Sequence, residues 1–163
     1  MSGFFDMTSL AEGGVREGGP AAEAILLRTK VLEMTQAAED AVLAPADCGA
    51  WPADLRAALA ARIARLNGDE AVAARYAARM KTTEYAGLAN PSDDGAGQGL
   101  ALMVAFMDCV AAAPRDVAAT DISDLQAAGI ADADIVKLCE LNAFLAYQLR
   151  LIAGLRLMTG AAS

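Results

Sequence analysis

The chain has 163 residues, 56% hydrophobic, rich in alanine and only 5% aromatic, which is enough for a real core and favours closely fitted helices over sheets. A net charge of −8 disfavours nucleic acid and anionic membrane as partners, and the absence of histidine removes the commonest metal ligand and the usual general base near neutral pH. Cys48, Cys109 and Cys139 are far apart with no CxxC or metal spacing, so free thiols in a reduced, cytoplasmic protein are expected, with no cofactor and no metal site.

Residues 1–20 hold Gly3, Gly13, Gly14, Gly18, Gly19 and Pro20 and read as a flexible arm ahead of a single helical domain, 21–163. They contain no basic segment followed by an apolar one, so no signal peptide is expected. A first helix is predicted from Ala21 to Leu43, its face formed by Ile25, Leu27, Val31, Met34, Ala38 and Val42, and stopped by Ala44-Pro45. Pro52 opens a second helix, with Asp54 favourable in its first turn and one buried stripe of Leu55, Leu59, Ile63 and Leu66. Asn67-Gly68 stops it. Asp69 and Glu70 start a third helix that runs to about Lys81, with Ala71, Val72, Ala74 and Ala78 on its small face.

Residues 90–99, NPSDDGAGQG, form a loop by composition, and Asp93-Asp94 lack the rest of a calcium-loop pattern. A fourth helix, from Leu100 to about Ala113, is apolar on nearly all sides except at Asp108 and should be central. Its longest apolar run, 100–107, is far too short to span a bilayer. Thr120-Asp121 caps a short helix, 122–128, closed by Gly129. Asp132 caps the last helix, Ala133 to about Met158, which is apolar over most of its circumference and suits burial in the core, in an oligomer, or both. On it Lys137, Glu140 and Gln148 share one side and Asn142 and Arg156 another, and such polar groups need partners in a structural network or a ligand pocket.

From Val31 to Met158 the order of elements resembles the alkylhydroperoxidase D-like, or carboxymuconolactone decarboxylase-like, superfamily. The resemblance rests on a helix ending in LNG (66–68), a second helix directly after it, an apolar helix, and the stretch DLQAAGIADADIVKLCELNAFLAYQLRLIAGLRL. The segment VLEMTQAAEDAVLAP is similar to the leading helix of one subgroup. The resemblance implies an all-α bundle of about six helices that assembles as a homo-oligomer, dimer or higher, through its apolar helices.

Redox members of that superfamily carry a CxxC after the LNG turn, where the helix N-terminus lowers a thiol pKa. A His four residues beyond the second Cys and a Glu twelve before the first relay protons. On this chain the two Cys positions fall on Asp69 and Val72, the His on Tyr76 and the Glu on Ala57. The whole relay is missing, so no catalytic residue is expected, and the decarboxylase reaction, which depends on a His-containing site, is disfavoured as well. The expectation is a non-redox oligomeric binding or structural protein, with Arg62, Asp69, Tyr76 and Gln148 as the residues around a small-molecule ligand. The arginines are alternatively paired with nearby carboxylates. Two further alternatives are a thiol-dependent peroxidase using Cys109 or Cys139, though burial on central helices would make both unreactive, and a DNA-binding helix–turn–helix on the basic segment 56–81.

Overall fold

The computed structural model describes residues 3–161; the outermost residues of the predicted arm and domain, 1–2 and 162–163, lie outside it. Among the described residues there are eight α-helices and no strand: α1 (Thr8–Glu12), α2 (Ala22–Leu26), α3 (Thr29–Leu43), α4 (Ala53–Leu66), α5 (Glu70–Ala77), α6 (Ala101–Ala112), α7 (Ala119–Ala127) and α8 (Asp132–Thr159). Short 3₁₀ turns occupy Phe4–Asp6, Ala86–Ala89 and Ala96–Gln98. The class is therefore all-α as expected, with eight helices instead of about six. No helix among the described residues is long and apolar enough to cross a membrane. The chain divides into two compact units, one of residues 1–41 with 146–163 and one of residues 42–145, where the sequence reading drew its boundary at residue 20.

In the first unit the glycine-rich start is built into the core, which corrects its reading as a loose arm. The glycines stop a helix. Gly14, at φ 72°, lets its own N–H reach Ala11 O and lets Val15 N–H reach Leu10 O at 2.9 Å, the paired bonds of a Schellman end. Leu10 and Val15 bracket that turn and join Ala21, Ile25, Leu32 and Leu155 in one buried cluster. A Cβ on Gly13 would stand 2.6 Å from the Leu155 Cβ, so only glycine lets α1 lie this close to α8.

The predicted first helix is two helices, α2 and α3, and its face was misassigned. Leu27, Val31 and Met34 are 86, 53 and 62% exposed, and Ala38 is exposed as well. The buried side of α3 is Leu32, Thr35, Glu39 and Leu43. Buried polar groups there displaced the purely apolar register that periodicity selected.

In the second unit α4 is central and lies against α5, the 86–89 turn and α6. Every residue from Leu55 to Ala64 is buried, not one stripe, because the alanines between the large residues let neighbours close in on all sides; Leu66 is only half-buried. The Asp54 carboxylate accepts from the backbone N–H groups of Lys81 and Thr82 and from the Thr82 hydroxyl, and these bonds hold it below the ordinary carboxylate range. On α5 the buried residues are Val72, Ala73 and Tyr76, in place of the predicted Ala71, Ala74 and Ala78. α6 buries Met103, Val104, Phe106 and Met107 but leaves Leu102 42% exposed, so it is central on one side only.

Candidate functional site

The LNGD stretch joins α4 to α5 with only three residues, 67–69, between the helices. Gly68, at φ 79°, donates to Arg65 O at 2.9 Å, and Asp69 N–H donates to Ala64 O at 2.9 Å, closing α4 as a Schellman end. Asp69 then begins α5: its carboxylate accepts the Val72 N–H at 3.1 Å as N-cap. One residue ends the first helix and caps the second. The carboxylate thus sits on the helix N-terminus that the resemblance assigns to a thiolate, while Val72 and Tyr76 are fully buried. Arg65 spans the same turn, with its guanidinium on Glu70 at 2.9 Å and on Ala89 O at 2.6 Å, and that contact lowers the Glu70 carboxyl pKa.

Arg62, the next residue proposed for a ligand, is 2% exposed and fully engaged. Its Nε and one terminal nitrogen hold the two Asp108 carboxylate oxygens at 2.5 and 2.7 Å. The remaining donors reach the carbonyls of Leu88, Asn90, Pro91 and Asp93 at 2.6–3.2 Å. A guanidinium has five N–H groups, and all five have acceptors here. Arg62 therefore ties the 88–93 loop to α4 and α6 and has no donor to turn towards an anion. Asp108, the lone charge on an apolar helix, was the sequence signal for this pair: such a group demands a buried counter-ion. Arg56 is likewise buried, donating to the carbonyls of Val42, Cys48 and Trp51. Two of the six cations in the predicted basic segment thus point inward, away from any phosphate backbone.

Gln148 belongs to the other unit, where it is 1% exposed. Its amide donates to Glu39 at 2.5 Å and lies 3.5 Å from the Ser9 hydroxyl. The Thr8 hydroxyl donates to the other Glu39 oxygen at 2.8 Å, and Tyr147 bonds Thr35 at 2.8 Å. Sequence reasoning missed Glu39, which is completely buried, because α3 was assigned the wrong face. Three of the four proposed ligand residues thus share one unit, and the fourth serves a polar network in the other. Of the remaining polar residues on α8, Arg156 donates to Glu12 O at 2.9 Å and Lys137 lies 3.6 Å from Asp47. Asn142 donates to Met107 O, while its Oδ1 is buried without a partner.

None of the four residues lines an open groove of about 520 Å³ between α7 and the first half of α8. It is lined by the apolar Ile122, Ile135, Val136 and Ala143 together with Cys139 and Glu140. Cys139 is exposed and Cys109 half-buried, which corrects the expectation that both are interior. The groove's apolar walls desolvate the Cys139 sulphur, and with the Glu140 charge beside it this pushes the thiol above its ordinary value of 9.0. Cys139 should therefore alkylate with a neutral maleimide more slowly at pH 7 than free cysteine, with a rate that keeps rising to higher pH. Glu140→Gln should speed the reaction at pH 7. Mass spectrometry of a Cys48→Ser, Cys109→Ser protein measures both, and labelling faster than free cysteine contradicts the assignment.

No protein-family model, curated protein or solved structure matches this chain.

Proposed function

We propose that this chain is a redox-inactive, homo-oligomeric helical protein of the alkylhydroperoxidase D-like kind, acting in binding or structure and not in peroxide turnover. The observation that supports the reading is Asp69. The position that a peroxidase of this kind gives to its attacking thiol holds a carboxylate committed to capping α5, and Val72 three residues on is sealed in the core. A carboxylate gains from the same helix N-terminus as a thiolate but cannot cycle to a disulfide. The α7–α8 groove is the concave apolar surface whose size suits a small ligand.

One observation favours a second reading: Cys139 is exposed at that groove, where a thiol peroxidase would need it. Its raised pKa opposes that role. Hydroperoxide consumption with a dithiol reductant separates the two. Wild type and the Cys109→Ser, Cys139→Ser protein are expected to match the uncatalysed rate. Turnover in wild type that disappears with Cys139→Ser would establish the peroxidase.

A further inference from the structure

We propose that the exposed apolar stripe of α3 is where a second copy of this chain docks, as an antiparallel helix pair about a two-fold axis near Met34; this rests on the oligomeric part of the proposed function. Val31, Met34, Ala38 and Ala41 are all exposed and recur at intervals of three and four, with Leu27 four residues ahead at the α2–α3 corner. That is the seam spacing by which two helices interdigitate. The opposite flank of α3 is already occupied by Leu32, Thr35, Glu39 and Leu43, so the stripe is surplus to the unit's own core.

Size and the avoidance of like charge both point to a second copy in this orientation. Leu27, Val31 and Met34, at 86, 53 and 62% exposure, leave with the exposed Ala38 and Ala41 on the order of 400 Å² in water, within the range of functional patches. Two such stripes with their flanking residues bury roughly 1,000 Å² in total, the lower bound for a specific interface, so a reversible micromolar dimer is expected. Antiparallel pairing opposes the two helix dipoles and sets Lys30 of one copy across from Ala38 of the other. Parallel pairing would set Lys30 against Lys30. With the axis at Met34, Leu27 of one copy faces Ala41 of the other.

The test uses the full chain with its cysteines replaced by serine. The Met34→Cys variant should form a disulfide-linked dimer under mild oxidation, whereas Glu33→Cys, exposed on another side of α3, should not. Sedimentation of Met34→Glu should give monomers at concentrations where the parent protein is dimeric, with unchanged helical circular dichroism. A parent protein that stays monomeric at every concentration overturns this inference together with the oligomeric reading. An oligomer that survives Met34→Glu, or that links as readily through Glu33→Cys, overturns the α3 interface alone.

Discussion

Replacing Arg62 by methionine should lower the unfolding free energy by about 3–5 kcal/mol, the range for removing one partner of a buried ion pair. The reasoning starts from the donor inventory. The guanidinium serves two carboxylate oxygens and the four carbonyls of 88, 90, 91 and 93 at once. Methionine fills much of the volume but supplies no donor. The Asp108 side chain is 28% exposed and can recover water, so the carbonyls of the loop carry the larger share of the loss. Arg62→Lys should not rescue, because an ammonium with three donors on one atom cannot span both groups of acceptors. Asp108→Ala should cost less, about 1–3 kcal/mol, since the loop stays attached. Urea unfolding gives the magnitudes, and hydrogen exchange should quicken selectively between residues 88 and 95 in Arg62→Met. A loss below about 1 kcal/mol would mean that the loop holds itself.

The elements legible in the sequence were those governed by local stereochemistry. Pro52, the Asn67-Gly68 stop, the Gly129 stop and the long last helix follow from backbone rules that act within a few residues, and α4, α7 and α8 begin and end within three residues of the expectation. What was not legible depended on partners distant in the chain. The glycines at 13 and 14 carry the same signal as Gly68, yet a short helix before them has no periodicity to reveal it, and the reason for Gly13 is Leu155. The buried face of α3 carries Thr35 and Glu39, which an apolar count scores as surface. Tyr147 for Thr35, and Thr8 and Gln148 for Glu39, all brought in from elsewhere in the chain, supply the partners that their burial requires. Asp108 was visible as an anomaly, a lone charge on an apolar helix, but Arg62 was not, because its helix was read with one buried stripe; the pairing rule for buried charge joins them once α4 is buried on all sides. The proposed ligand residues came from the resemblance around one turn and from a polar side of the last helix, and neither can say that a donor is already engaged.

Glu39→Leu should cost about 2–6 kcal/mol, from two buried donors that lose their carboxylate acceptor at about 1–3 kcal/mol each. Leucine approximates the side-chain volume and would place an apolar residue in a buried position, so the outcome opposes a simple hydrophobic expectation. Glu39 is completely buried and accepts from the Thr8 hydroxyl at 2.8 Å and the Gln148 amide at 2.5 Å. The Ser9 hydroxyl, the other acceptor near the Gln148 amide, is at 3.5 Å. Glu39→Gln should fall between wild type and Glu39→Leu. Its single amide oxygen can serve one of the two donors, while its amide nitrogen sets a donor against the other. Because α1 is only five residues long, with its ends fixed by the Leu10–Val15 turn, loss of the Thr8 bond should release it first. Amides of 8–15 should therefore exchange faster in Glu39→Leu at denaturant concentrations where α4 is still protected. If Glu39→Leu instead matches or exceeds wild-type stability, the polar network contributes less than the apolar contact that replaces it, as happens for some buried charged clusters. Gln148 would then be better explained as a group held for a ligand than as a strut between α8 and α3.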